Sequence, residues 1–186
     1  MKKCTVWLLC FMLLAGCSKQ PEEIEAGMAL RGKLLQAESC SFDAEITADY
    51  GDRIHTFRMH CITDSAGDIS FTVIKPDSIS GISGKLTGNG GKLTFDETAL
   101  HFELMSEEDL SPISAPWILI NTLRKGCITS VCKENDAIRL SLDDSFDNEH
   151  LHLDIWLDSE NTPKQADILY DGKRILSLNV INFEIM

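Results

Sequence analysis

The groups able to do chemistry are seven cysteines, five histidines and 29 carboxylates in 186 residues. Spacing decides which of them count. His150-Leu151-His152-Leu153-Asp154 puts two imidazoles and a carboxylate on one face of a strand, part of a metal-ligand set. The alternation continues through Ile155 and Leu157, the pattern of a half-buried strand with a solvated face, and no third ligand stands at a fixed spacing. No metal is expected there. Asp143-Asp144 with Asp147-Asn148-Glu149 is rich in carboxylates but lacks the EF-hand spacing and its glycine, so it reads as a solvated loop. Ser80 and Ser83 in Ser80-Gly81-Ile82-Ser83-Gly84 fall outside the G-x-S-x-G frame of a nucleophile elbow. No phosphate loop, dinucleotide fingerprint or Cys-x-x-Cys occurs, so neither a cofactor nor an enzymatic activity is expected.

The strongest chemical signal is a thiol. Met1-Lys2-Lys3 is basic, and residues 6–15 form an unbroken apolar run. Ten residues rise about 15 Å as a helix, half of a ~30 Å hydrocarbon core. That run is a signal-peptide core, not a span. It ends in Leu14-Ala15-Gly16-Cys17, which resembles the lipobox of bacterial lipoproteins. The resemblance implies a diacylglycerol on the Cys17 sulfur, cleavage just before that residue, and an acylated new amino terminus. Residues 1–16 are then a leader that is removed, 17–21 a short acylated tether, and 22–186 one folded domain. The expected location is a bacterial membrane, on its extracytoplasmic side. Two or more acyl chains anchor stably where one does not.

Charge narrows the partners. Seventeen Lys and Arg against 29 Asp and Glu give a net charge of −12. Without Lys2 and Lys3 the mature chain carries fifteen against 29, or −14. A phosphate backbone would repel such a surface, so no nucleic acid is expected.

Hydrophobic periodicity supplies the frame. Residues 22–37 read as a helix with Glu22, Glu23 and Glu25 in the first turn and Arg31 and Lys33 near the end, as the macrodipole prefers. Ile24, Met28 and Leu35, with Leu34 beside them, predict its packed face. After Ser39 the period becomes two. Strands are predicted at 40–48, 53–63, 68–75, 82–87, 92–96 and 99–105, then at 127–132, 136–142, 150–158, 165–170 and 173–185. Asp171-Gly172 marks a two-residue hairpin turn. Between the two sets, acidic residues 106–109 lead through Pro112 to a second helix at 115–125, with Gly126 just past its end. No linker or repeat divides the chain. The expected class is α+β, a single antiparallel sheet of about eleven strands with two helices.

A four-residue loop from Asp49 to Asp52 opposes Ala48 to Arg53, and so Cys40 to Cys61. Directly opposed residues lie close enough for a disulfide, and export permits one. Two buried free thiols are the alternative. Cys127 and Cys132, on one extended strand, stand about 16 Å apart on opposite faces. A bridge between them requires the chain to turn within 128–131.

With the layout of elements, the stretches Leu169-Tyr170-Asp171-Gly172-Lys173-Arg174-Ile175-Leu176 and Val180-Ile181-Asn182-Phe183, together with Val73-Ile74-Lys75-Pro76 and Gly81-Ile82, carry a resemblance. Over most of residues 22–186 the chain resembles the lipoprotein-carrier (LolA/LolB-like) superfamily, and within it the anchored clostridial lipoproteins of the GerS type. The resemblance implies an unclosed, strongly curved half-barrel with helices against its concave face. Carriers of that superfamily hold acyl chains there, whereas the spore members act as partner proteins. This chain departs from the carriers in being anchored itself, and their acyl-gating residues match no positions here.

The second helix then becomes the candidate site. Trp117, Ile118, Leu119, Ile120 and Leu123 make it apolar nearly all round, so it must be covered on more than one side. It either plugs the concave face as core or acts as a lid over an apolar pocket, swinging on Pro112 and Gly126. Two functions follow. In the first, the concave face binds an acyl chain or another hydrophobic ligand. In the second, the domain is an anchored interaction module that recruits a secreted protein partner of the envelope or spore. A filled half-barrel favours the second.

Overall fold

The computed structural model describes residues 22–95, 98–102, 110–146 and 149–186. Cys17, the leader, the tether, acidic residues 106–109 and the Asp147-Asn148 pair lie outside the described residues. Helix α1 (Glu22–Gln36) leads into β1 (Ser39–Asp49), β2 (Ile54–Asp64), β3 (Ile69–Lys75), β4 (Ser83–Thr87), β5 (Gly90–Phe95) and β6 (Thr98–Phe102). A 3-10 turn, Pro112–Ser114, opens helix α2 (Ala115–Lys125). Strands β7 (Cys127–Glu134), β8 (Ala137–Phe146), β9 (Glu149–Leu157), β10 (Pro163–Tyr170) and β11 (Lys173–Ile185) complete the chain.

All eleven strands form one antiparallel sheet in the order β6-β5-β4-β3-β2-β1-β11-β10-β9-β8-β7. The sheet does not close, so β6 and β7 are its two edges and the architecture is an α+β open half-barrel. β1 and β11 pair at its centre and join the two meanders. One face carries the core: Phe42, Ala44 and Ile46 on β1 meet Met59 and Cys61 on β2, while Leu140, Leu142, Leu153 and Ile155 do the same on β8 and β9. The alternation written in the sequence is thus spent on one continuous inner surface. Among the described residues, no helix is long and apolar enough to cross a membrane.

The first hairpin is two residues out of the expected register. Tyr50 N donates to Arg53 O at 3.0 Å, so the turn is the two-residue Gly51-Asp52 and not a four-residue loop. Gly51 adopts φ +90°, which a two-residue hairpin turn rewards with glycine at its first position. Asp49 Oδ1 accepts from Gly51 N at 2.8 Å and fixes the bend. Ala48 therefore opposes His55, Cys40 opposes Thr63, and Phe42 opposes Cys61. A slip of two keeps every side chain on its face, so the apolar pattern alone could not detect it. The Asp171-Gly172 turn is as expected, with φ of +49° and +72°.

The packed face of α1 is also corrected. Ala26, Leu30 and Leu34 are the buried side chains, whereas Met28 and Leu35 stand in solvent. Gly27 explains the choice, because a Cβ there would lie 3.0 Å from Leu140 Cδ2. The helix comes down on β8 through its smallest residue.

Candidate functional site

Helix α2 fills the concave face. Every residue from Ala115 to Leu123 is buried, including all five predicted site residues, Trp117, Ile118, Leu119, Ile120 and Leu123. Trp117 reaches the β4–β5 turn, 3.7 Å from where a Cβ on Gly88 would sit. Burying five such side chains stabilises the packed helix by about 1.5–3 kcal/mol each. Extracting them together costs on the order of 10 kcal/mol.

Polar bonds fasten both ends. Tyr50 Oη donates to Leu110 O at 2.6 Å, just before the 3-10 turn. Thr122 Oγ1 donates to Asp144 Oδ2 at 3.1 Å. Arg124 Nη2 donates to Ser65 O at 2.7 Å in the β2–β3 turn. Arg31 of α1 does the most: its Nε donates to Leu123 O at 2.8 Å and its Nη2 to Gly126 O at 2.6 Å. A cation on the carbonyl end of a helix satisfies groups with no intrahelical donor and matches the dipole. The sequence marked Arg31 only as a charge closing its own helix. Nothing local points to a partner 92 residues away.

Gly126, where the lid reading places a hinge, is packed against Thr122 of α2. Its φ of −57° and ψ of 153° are open to any residue. Glycine stands there because a Cβ would lie 2.6 Å from Thr122 Cγ2 and 2.7 Å from Thr122 O. Crowding, not freedom, selects it.

The thiols are separate from one another. Cys40 and Cys61 are buried and free, which replaces the expected bridge. Cys40 Sγ lies 3.1 Å from Thr63 Oγ1, the residue it opposes in the true register. Burial pushes both thiols above the ordinary cysteine value, Cys61 the further, with Asp43 and Cys40 adding to it. On β7 the register shifts between Ile128 and Ser130, leaving Cys127 opposite Asp143 and Cys132 opposite Arg139. That bulge turns both onto the outer face, whereas an unbroken strand would split them. Four residues still separate their partners on β8, about 13 Å, so the two cannot bond.

The outer face carries ion pairs. His152 Nδ1 lies 2.6 Å from Asp143 Oδ1, and its Nε2 lies 3.5 Å from Asp154 Oδ1. His150, His152 and Asp143 line a shallow groove of about 280 Å3. Among the described residues, no three His, Cys, Asp or Glu gather as a metal set. On β1 and β2, Asp43 bonds Arg58 Nη2 at 2.6 Å and His60 Nδ1 at 2.8 Å. Partial burial alone would raise the Asp43 carboxyl. The bonds from His60 and Arg58 outweigh it and hold the group below the usual carboxylate range. Larger troughs open outward over β2–β6. One of about 520 Å3 is lined by His60, Ser70 and Thr94, the other of about 580 Å3 by Thr87 and His101, and Lys85 and Lys92 border both. A fourth, of about 490 Å3, lies at Tyr50, Arg53 and Pro112. None of these four grooves is lined by a residue of α2.

No family model and no curated protein matches the sequence. Solved structures share the layout at low identity. A LolA superfamily protein from Nitrosomonas europaea aligns at 10% identity and TM-score 0.46, over 86% of this chain and 93% of its own. The complex of the CwlD amidase with the GerS lipoprotein from Clostridioides difficile gives 14% and 0.45, over 90% and 98%. LprF from Mycobacterium bovis gives 9% and 0.45, over 89% and 94%.

Proposed function

We propose that the mature chain is a lipid-anchored, non-enzymatic interaction module, held at the extracytoplasmic side of a bacterial membrane through Cys17, that docks a protein partner on the outside of a filled half-barrel. The observation that carries this reading is the run of nine buried residues on α2. The surface a carrier would offer to an acyl chain is already occupied by Trp117, Leu119, Ile120 and their neighbours. Four side-chain bonds beyond the apolar contacts hold the helix in place. What remains for recognition is the outer face, its grooves and the two sheet edges.

The anchor rests on the Leu14-Ala15-Gly16-Cys17 box and the basic, short apolar leader before it. Replacing Cys17 by Ser removes the acylated atom, so labelled fatty acid should no longer attach. Label retained on the variant would refute the anchor. For the interior, native mass spectrometry of soluble 18–186 should show the bare polypeptide mass. A lipid-sized adduct surviving from a lipid-rich host would instead establish the acyl-binding reading.

A further inference from the structure

On the face of α1 turned away from the sheet, apolar side chains stand in solvent beside Glu25, Lys33 and Gln36. Met28 is 50% exposed and Leu35 is 53% exposed. Gly32 stands between them at i+4 from the first and i−3 from the second, so all three share one stripe. A Cβ built on Gly32 meets nothing within 4 Å. Gly27 is required by the approach to Leu140, but among the described residues no contact explains Gly32, and glycine within a helix is costly relative to alanine. Met186, 60% exposed, is brought to the end of the same helix, where its carbonyl accepts from Glu38 N at 3.0 Å and Ser39 N at 3.2 Å.

We propose that this stripe of α1, Met28, Gly32 and Leu35, rests on the bilayer surface to which Cys17 is attached, and so sets the orientation of the whole domain. The inference rests on the anchor reading. Five Cα steps from Cys17 to Glu22 span at most about 17 Å, so α1 starts within reach of the headgroups. The helix itself is about 22 Å long, so when it lies along the bilayer both Met28 and Leu35 are at headgroup level. Two side chains and a bare glycine are a weak membrane ligand in solution. Tethering supplies a high effective concentration, so weak contacts suffice. The glycine lets the helix backbone come down between Met28 and Leu35. Glu22, Glu23 and Glu25 in the first turn favour a neutral headgroup over an anionic one. The β1–β2 hairpin, at the far end of β1, then points away from the bilayer with the outer grooves alongside.

Methionine oxidation reads this directly. Acylated full-length mature protein, on phosphatidylcholine vesicles, is exposed to dilute peroxide beside the Cys17→Ser form in solution. Buried Met59 is the internal reference. The variant Ile54→Met places a reporter at a position 67% exposed in the distal hairpin. On vesicles, Met28 and Met186 should oxidise at least five-fold more slowly than in solution, with the reporter unchanged. Replacing Met28 by Gln and Leu35 by Glu, both surface changes, should leave flotation intact and restore oxidation of Met186. A protein that floats with the vesicles while Met28 oxidises at its solution rate overturns the orientation and leaves the anchor standing. A protein that carries no acyl group and does not float overturns both.

Discussion

Arg31 Nε donates to the carbonyl of Leu123 at 2.8 Å, across 92 residues of sequence. The same guanidinium reaches Gly126 O, so a single side chain on the first helix closes the end of the second. The two helices are therefore one unit, seated together on the concave face.

Removing that clamp should be felt as lost stability with no change of fold. Bonds from a charged donor contribute about 1.5–3 kcal/mol, and leaving helix-end carbonyls without a donor adds a desolvation cost. Arg31 is only half buried, so Arg31→Ala should cost about 2 kcal/mol, seen as a lower urea midpoint. Arg31→Lys should recover only part, because an ammonium cannot match the two-carbonyl fork. A midpoint unchanged by Arg31→Ala would show that α2 is held by packing alone.

A charge in the middle of α2 discriminates a plug from a lid. Leu119 is fully buried against the sheet. Leu119→Ala should cost about 2–5 kcal/mol through its cavity. Leu119→Arg buries a guanidinium with no partner and should prevent folding. A Leu119→Arg domain with native circular dichroism and an unchanged melting temperature would mean that the helix stands free of the sheet.

The thiols should sort by depth. In the soluble domain at neutral pH, Cys127 should react with a thiol reagent at once and Cys132 more slowly. Cys40 and Cys61, buried and pushed toward the unreactive neutral form, should react only on unfolding. Four thiols counted in denaturant without reductant is the expected total for 18–186. A count of two, with Cys40 and Cys61 joined in peptide mapping, would restore the bridge and demand a different hairpin register.

What the sequence could carry follows from the range of each signal. Alternation in 150–157 and the caps around 115–126 are local, so those strand and helix assignments hold nearly to the residue. The Cys40–Cys61 pairing failed because the turn, not the apolar pattern, fixes which inward residues meet, and two turns two residues apart satisfy the same pattern. The packed face of α1 is not decided by periodicity, because Ile24, Met28 and Leu35 fit helical spacing as well as Ala26, Leu30 and Leu34 do. The packing is instead decided by Gly27, whose missing side chain makes room for Leu140. The Arg31 clamp and the β7 bulge involve partners far along the chain or one unpaired residue. Neither leaves a periodicity to read.

Acid should loosen the centre of the sheet through Asp43. Its carboxylate, 16% exposed, bonds both Arg58 and His60 across the β1–β2 ladder. Burial opposes ionisation there, but those two bonds prevail, so the folded-state pKa lies below the ordinary carboxylate value. A depressed carboxyl contributes stability that is fully present above the unfolded pKa, about 4, and is lost as pH falls through the folded value. Asp158, held by Thr162 and the Glu160 amide against its own partial burial, adds a second group of the same sign. Urea titrations should therefore show stability level from pH 7 to about 5 and falling below about 4. Asp43→Asn cannot titrate, so it should start from a lower value at pH 7 and fall less steeply in acid. Equal acid slopes for the two proteins would mean that the Asp43 pairings carry no net free energy, and that acid sensitivity lies with other carboxylates.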